Sequence, residues 1–260
     1  MSRPLAILGS GYTGRFLASV LEKERQPFVA TSRDPGRHLP FLADHQRLYF
    51  DLMDRASWAG LPEQADWLWC FPATPLDVVK RFLASATGRF QRLIVLGSTS
   101  AYDTGLSDDY PPPWIDETAP IDRSKPRVQG EEHLRAEYGA IILRVAGIYG
   151  PGRNPLEWIK SGRIGPSRKY VNLIHVEDLV TLCLAALRRG TPGEIYNVSD
   201  GTPRTWEEIC RVVQDRWGMT PPSAGRNEDP GKRIDIRKLR AELEPHFRYP
   251  DLYKALSKWR

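Results

Sequence analysis

Residues 5–24 read LAILGSGYTGRFLASVLEKE, and this stretch decides the fold class. Leu5 to Leu8 form an apolar run too short for a helix and closed at once by glycine, the mark of a buried strand. From Tyr12 onward Phe16, Leu17, Val20 and Leu21 recur at three- and four-residue spacing, as on a helix with one buried face. Between them stands Gly9-Ser10-Gly11-Tyr12-Thr13-Gly14, a G-x-G-x-x-G at a strand-to-helix join. Gly9 permits the tight turn, Gly11 lets a pyrophosphate approach the backbone, and Gly14 lets helix and strand pack closely. The first N–H groups of the helix face the anion. The alternative is an ordinary glycine-rich βα turn; the strand before it and the amphipathic helix after it favour a dinucleotide-binding loop.

The same alternation continues outward. PFVATS (27–32), RLYFDL (47–52), DWLWCF (66–71), RLIVLGS (92–98) and AIILRVAGIYG (140–150) read as strands, with LDVVKRFLASA and VQGEEHLRAEY as helices among them. Counting LAIL, six strands separated by helical patterns predict an α/β fold with a doubly wound parallel sheet, a Rossmann fold. Further on, VEDLVTLCLAALRR is a helix, EIYNV a short strand, and TWEEICRVVQDRW a helix whose Thr205 and Glu208 form a capping box. From about Pro221 the chain is rich in proline and charge, which predicts a small C-terminal, substrate-side lobe over the carboxyl edge of the sheet. We read residues 1–260 as a single unit. Its Rossmann core covers about 1–150 and 171–200, and its lobe about 151–170 and 201–260.

With 260 residues, 41% apolar and 27% charged, the chain can bury a full core, which excludes disorder, collagen and a disulfide-stapled miniprotein. Lysine plus arginine total 37 against 32 acidic residues, a net charge of +5. The excess is spread along the chain without aromatic interleaving, which favours a small anionic ligand over nucleic acid. Cys70, Cys183 and Cys210 are far apart in apolar surroundings, with no CxxC and no Cys/His cluster. They read as reduced core thiols, and no metal is expected. The opening MSRP runs directly into the first strand, and no run approaches bilayer length. The expectation is a cytoplasmic protein with no membrane partner, compatible with a homodimer.

A dinucleotide site needs a reader for the adenosine ribose at the end of the second strand, where Thr31-Ser32-Arg33 stands. An acid there would accept bonds from a free 2′-hydroxyl, whereas a hydroxyl followed by arginine suits a 2′-phosphate. NADP(H) is therefore expected to be preferred, with NAD(H) still accommodated. The alternative is a solvated Arg33 before a DPG turn, and Asp34 stands beside it.

GSGYTG, FDLMD with Asp51, WCFPATP, LGSTSAYD, LRVAGIYGPGR, VNLIHVEDL and EIYNVSDG follow one another in the order seen in extended short-chain dehydrogenase/reductases. Over nearly its whole length the chain resembles the NAD(P)-dependent epimerase/dehydratase group. The resemblance implies that Asp51 and Leu52 border the adenine and that Pro72, Ala73 and Thr74 line the nicotinamide-side ribose. It places Ser98 where the family has its catalytic Ser/Thr. It also exposes a departure, because the family carries Tyr-x-x-x-Lys on the helix after the fifth strand and this chain does not. Aligned on Glu131, Arg127 takes the lysine place and Arg123 the tyrosine place; aligned on Lys125, Ile121 takes the tyrosine place. Pro126, tolerated only in a first helical turn, independently predicts that this helix begins near Ser124 as cap. Residues four positions before Lys125 or Arg127 would then lie outside or at the edge of the helix. The chain reads as an atypical member of the family.

Chemistry must then come from elsewhere. Ser98, Ser100 and Tyr102 leave the fifth strand at its carboxyl end. A hydroxyl there can polarise a carbonyl, and the Tyr102 phenol could deliver a proton if a cation such as Arg127 lowered its pKa. The alternative is that they are turn and packing residues. His175, before Val176-Glu177-Asp178, is either a helix cap or a substrate-side group. The loop over 103–123 is either a lid with Trp114 over the ligand or a stiff surface loop with Trp114 pinned to the core. Arg153 could meet an anionic substrate, as could Lys232 and Arg233; the alternative for each is a solvated surface charge. These residues predict an NAD(P)-binding oxidoreductase or epimerase/dehydratase-like enzyme, transferring hydride to or from a small polar substrate, with sugar nucleotides one such class. The alternative is a catalytically degenerate NADP(H)-binding redox sensor or regulatory protein.

Overall fold

The computed structural model describes residues 3–104, 107, 109–223 and 229–259. Met1 and Ser2 of the opening, three positions of the 103–123 loop, and residues 224–228 and 260 of the tail lie outside the described residues. Strand β1 (Leu5–Leu8) is buried throughout and leads through the glycine loop into α1 (Tyr12–Lys23). Strand β2 (Phe28–Ser32), the single-turn α2 (Pro35–His38), β3 (Arg47–Tyr49), β4 (Ala65–Trp69), α3 (Leu76–Ala86) and β5 (Phe90–Ser98) follow. The chain then forms β6 (Trp114–Ile115), α4 (Pro126–Tyr138), β7 (Ile141–Val145), β8 (Gly147–Tyr149), α5 (Pro155–Lys160), β9 (Tyr170–Val171) and β10 (Leu173–His175). It closes with α6 (Val176–Arg189), β11 (Ile195–Val198), β12 (Arg204–Thr205), α7 (Trp206–Trp217), β13 (Arg233–Ile234), α8 (Arg237–Leu243) and α9 (Leu252–Leu256).

Seven strands make one parallel sheet in the order β11-β7-β5-β4-β1-β2-β3. The order reverses between β1 and β4, so their carboxyl ends flank the crevice in which open α/β sheets bind ligands. One face is covered by α1 and α6, through residues such as Leu17, Leu21, Leu179 and Cys183. The other buries Trp67, Trp69, Val79 and Phe82 against α3, with the Trp67 and Phe82 rings stacked 5.8 Å apart. Leu156, Trp206, Ile209 and Leu252 belong to a third apolar cluster, beyond the sheet.

Four local features differ from the pattern expected of the sequence. EIYNV is a seventh strand of the main sheet, paired with β7, and the run 140–150 is two strands. Ala146 still donates to Val198 O, but Gly147 donates to Asn172 O, and a Cβ on Gly147 would sit 2.9 Å from Leu173; the chain therefore turns off the sheet there. Helix α4 starts at Pro126 with Lys125 as N-cap, because Ser124 is already held by the Asp122 carboxylate through both its N–H and its hydroxyl. Thr205 caps α7 as expected, accepting from the Glu208 N–H at 3.0 Å, but the Glu208 carboxylate turns to the Tyr253 hydroxyl and completes only half of the box. Among the described residues no helix is long and apolar enough to cross a membrane.

Candidate functional site

The carboxyl ends of β1, β2 and β4 open onto a cleft of about 1000 Å³ lined by Gly9 to Tyr12, Ser32, Arg33, Asp51, Leu52, Thr74 and Arg153. Its floor is the glycine loop, where the three glycines have separate duties. Gly9 has φ +90, where only glycine is comfortable, and donates its N–H to Thr31 Oγ1 at 2.9 Å. A Cβ on Gly14 would lie 2.3 Å from Gly9 O, so helix and strand can meet this closely only without one. A Cβ on Gly11 would meet nothing within 4 Å, so that face of the loop is bare and could take a ligand against the backbone. No side chain caps α1, and its first N–H groups are left for an anion. Thr13 is buried in the helix, and the Ser10 hydroxyl donates to Thr31 O at 2.8 Å, locking the loop to β2.

At the end of β2 Asp34 serves as the N-cap of α2. Its carboxylate accepts from the Arg37 N–H at 3.1 Å as the cap of α2 and does not line the cleft, whereas Ser32 and Arg33 do. His38, absent from the sequence reading, closes the same corner with its Nδ1 2.6 Å from Ser32 Oγ. The signal for it was present: Asp34-Pro35 is a cap followed by proline, which starts a helical turn and returns residue 38 to the strand end. Beyond it Asp51 accepts from the Met53 N–H at 2.9 Å, and Leu52 is buried beside Phe50. Phe41 and Met53 also line the cleft yet remain 44% and 66% exposed, apolar surfaces of a kind that a planar base would cover.

The exit of β4 brings Phe71 and Thr74 to the cleft, while Pro72 faces solvent and Ala73 is buried against α4. A Cβ on Gly130 would be 1.8 Å from Ala73 O, so α4 presses directly on this exit. Arg127, one turn before, lies 3.8 Å from Glu131 and off the cleft lining. Glu131 is 1% exposed, neither carboxyl oxygen has a hydrogen-bond partner among the described residues, and burial pushes its pKa up to about 7.

Ser98 is half-buried at the end of β5, its Oγ accepting from the Ser100 N–H at 3.2 Å. Tyr102 is not beside it in the open. Its ring is 4% exposed, its hydroxyl donates to Asn197 Oδ1 at 2.7 Å and accepts from Arg144 Nη1 at 3.1 Å, and burial holds its pKa above the ordinary tyrosine value against the pull of Arg144. The cation at Tyr102 is therefore Arg144 and not Arg127, and the phenol is tied into the core. Trp114 is neither in the cleft nor in the core: it is 51% exposed under the Arg233 guanidinium, on a loop stitched to the tail where β6 pairs with β13. His175 caps α6, its Nδ1 accepting from the Glu177 N–H at 3.2 Å, and its ring stacks on Tyr249 at 3.7 Å. Burial lowers its pKa to about 4, and it lies off the cleft lining. Arg153 does reach the cleft, but at the glycine loop, 4.4 Å above the Tyr12 ring. Lys232 instead donates to Thr99 O at 3.2 Å and pairs with Asp103.

No family model matches the chain. The curated protein YeeZ of Escherichia coli K12 is 28% identical over 186 residues, 68% of this chain and 65% of YeeZ, so the match spans just under two thirds of that relative. A candidate NAD-dependent epimerase/dehydratase from Methylobacillus flagellatus superposes with a TM-score of 0.78 at 24% identity, covering 98% of this chain and 97% of that one. MoeE5, solved in complex with UDP-glucuronic acid and NAD, superposes at 0.75 with 18% identity, covering 98% and 97%. These superpositions show the fold, a Rossmann-type α/β arrangement around the seven-stranded parallel sheet. The stretch in which a Tyr-x-x-x-Lys pair was sought lies at the start of α4. Residues 121–124 precede α4, so no helical four-residue spacing exists to stack one side chain over another. Arg123 reaches Glu132 at 3.6 Å, and Lys125 turns to Ser100 O at 2.7 Å and Asp103 at 2.8 Å.

Proposed function

We propose that this chain is an NADP(H)-preferring oxidoreductase or epimerase/dehydratase-like enzyme, acting on a small polar substrate of which sugar nucleotides are the first class to test. The observation that carries the reading is the corner where Ser32 and Arg33 face the glycine-loop cleft while the neighbouring acid, Asp34, is spent capping α2. A 2′-phosphate there would accept a bidentate guanidinium, and no carboxylate stands in the pocket at that point to hold a free 2′-hydroxyl instead. Gly9, Ser10, Gly11, Tyr12, Thr13 and Gly14 would hold the pyrophosphate, Asp51 and Leu52 the adenine edge, and Thr74 the nicotinamide-side ribose. Pro72 and Ala73 would shape the Thr74 turn, and Arg127 would stand behind it.

Bound NADP(H) would supply or accept a hydride at its nicotinamide ring. Ser98, at the carboxyl end of β5, would orient the reacting oxygen of the substrate. Tyr102 would act through packing, by bracing Asn197 and Arg144. The substrate itself would lie toward the lobe at about 151–170 and 201–260, and the sugar nucleotide held by MoeE5 supports that choice of class. The free cysteines fit a reducing, cytoplasmic setting. One observation favours a second reading, a cofactor-dependent sensor: Arg123 and Lys125, at two of the places considered for the dyad, precede α4 and are already paired.

Two measurements test the proposal together. Arg33→Ala should weaken NADP(H) by about 1–3 kcal/mol and leave NAD(H) nearly unchanged. A turnover screen of sugar nucleotides, carbonyl compounds and alcohols with both cofactors should give activity that Ser98→Ala lowers. A screen without turnover, with a cofactor-dependent change in association with another protein, would decide for the sensor.

A further inference from the structure

The chain segment that crosses the glycine loop comes from 139 residues downstream. After β8, Gly150 and Arg153 exchange two backbone hydrogen bonds, N–H to O at 3.0 and 2.9 Å, and close a tight turn over Pro151 and Gly152. The turn is seated directly on Tyr12, whose hydroxyl donates to Pro151 O at 2.9 Å. A Cβ on Gly150 would lie 2.7 Å from both Tyr12 Oη and Val176 Cγ1, so the approach tolerates nothing larger than glycine. Both ends of the turn are anchored. Strand β8 pairs with β10, and Asn154 caps α5 by accepting from the Leu156 N–H at 2.9 Å, while Leu156 and Ile159 are buried in the lobe cluster.

Arg153 is the one charged side chain this turn carries to the cleft. Its guanidinium lies 4.4 Å from the centroid of the Tyr12 ring and lines the cleft. A pyrophosphate brings two negative charges to a loop whose own residues offer N–H groups and a helix dipole, with Arg15 of α1 the other arginine that lines the cleft beside it. Arg33 stands elsewhere, at the ribose end of β2.

We infer that the Gly150–Arg153 turn is a strap across the cofactor's pyrophosphate, with Arg153 as its countercharge and the Tyr12–Pro151 hydrogen bond as its latch. This rests on the cofactor reading above and assigns to the dinucleotide an arginine that the sequence placed toward the substrate. Entry and release of the cofactor require the latch to open, so residence time is set by Tyr12 as well as by the contacts to the nucleotide.

The test compares NADPH, NADH and adenosine 2′-monophosphate, which keeps the base and the 2′-phosphate but lacks the pyrophosphate. Arg153→Gln should weaken NADPH and NADH alike, about tenfold or more, and leave adenosine 2′-monophosphate within about twofold, whereas Arg33→Ala changes the ratio between the two dinucleotides. Tyr12→Phe keeps the ring under Arg153 and removes only the latch; stopped-flow displacement should show NADPH leaving several times faster. Dinucleotide affinities that are indifferent to Arg153→Gln, or an equal loss for adenosine 2′-monophosphate, would overturn the strap, and an unchanged release rate in Tyr12→Phe would overturn the latch. A wild-type protein that binds neither dinucleotide would overturn the cofactor reading and the strap with it, a result distinct from binding that ignores Arg153.

Discussion

Replacing Glu131 by glutamine isolates a buried charge beside the candidate site. The carboxyl lies against β5 at Gly97, where a Cβ would be 2.8 Å from Oε2, and it has no hydrogen bond to offset its desolvation. Burial raises its pKa from 4.5 to about 7, with Arg127 and then Arg144 opposing. The folded state therefore holds this proton more tightly than the unfolded chain does. The stability it contributes is fully present below pH 4.5, falls as pH rises, and is gone above about 7. The rise corresponds to about 3 kcal/mol across that window. Glutamine is nearly isosteric and cannot ionise, so the stability of Glu131→Gln relative to wild type should climb by about 3 kcal/mol between pH 4.5 and pH 8. In melting experiments that is about 6–12 °C for a chain of this size. Taking the difference between the two proteins cancels the other titrating groups. A difference that stays flat over the same pH range would refute the reasoning and place the Glu131 carboxylate in a solvated or properly paired setting.

The two helix-start glycines should separate in their effects. Gly14→Ala, whose Cβ would be 2.3 Å from Gly9 O, should cost about 1–3 kcal/mol of stability as well as cofactor binding, whereas Gly11→Val should abolish binding with an unchanged melting temperature. Calorimetry and thermal melts on both variants check this. Tyr102→Phe removes a hydroxyl that serves both Asn197 and Arg144, so about 1–3 kcal/mol of stability should be lost and turnover largely kept; a loss of activity of about a hundredfold in a folded protein would restore the phenol to the chemistry.

Much of this architecture was legible because local and global signals agree. The run Leu5–Leu8, the three glycines and the amphipathic α1 each require the others, and the strand-to-helix alternation leaves little choice but a parallel sheet. What escaped was set by long-range partners. The chain leaves the sheet after Ala146 because Asn172 and Leu173 receive Gly147, and nothing local in AIILRVAGIYG announces it. Tyr102 looks like a loop hydroxyl in LGSTSAYD, but Asn197 and Arg144, 95 and 42 residues away, draw it into the core. Arg153 reaches the glycine loop only because the pairing of β8 with β10 aims the turn back across Tyr12. His38 was recoverable locally, from a cap, a proline and one helical turn.

The central claim is that the cleft over Gly11 holds a dinucleotide and that its Ser32–Arg33 corner selects the 2′-phosphate. Calorimetric titration of the wild-type protein with NADPH and NADH in the same buffer tests it most directly. The account predicts saturable binding of both at one site per chain, with NADPH tighter by about tenfold or more, the scale of a charge-assisted hydrogen bond. Equal affinities, or tighter binding of NADH, would contradict it.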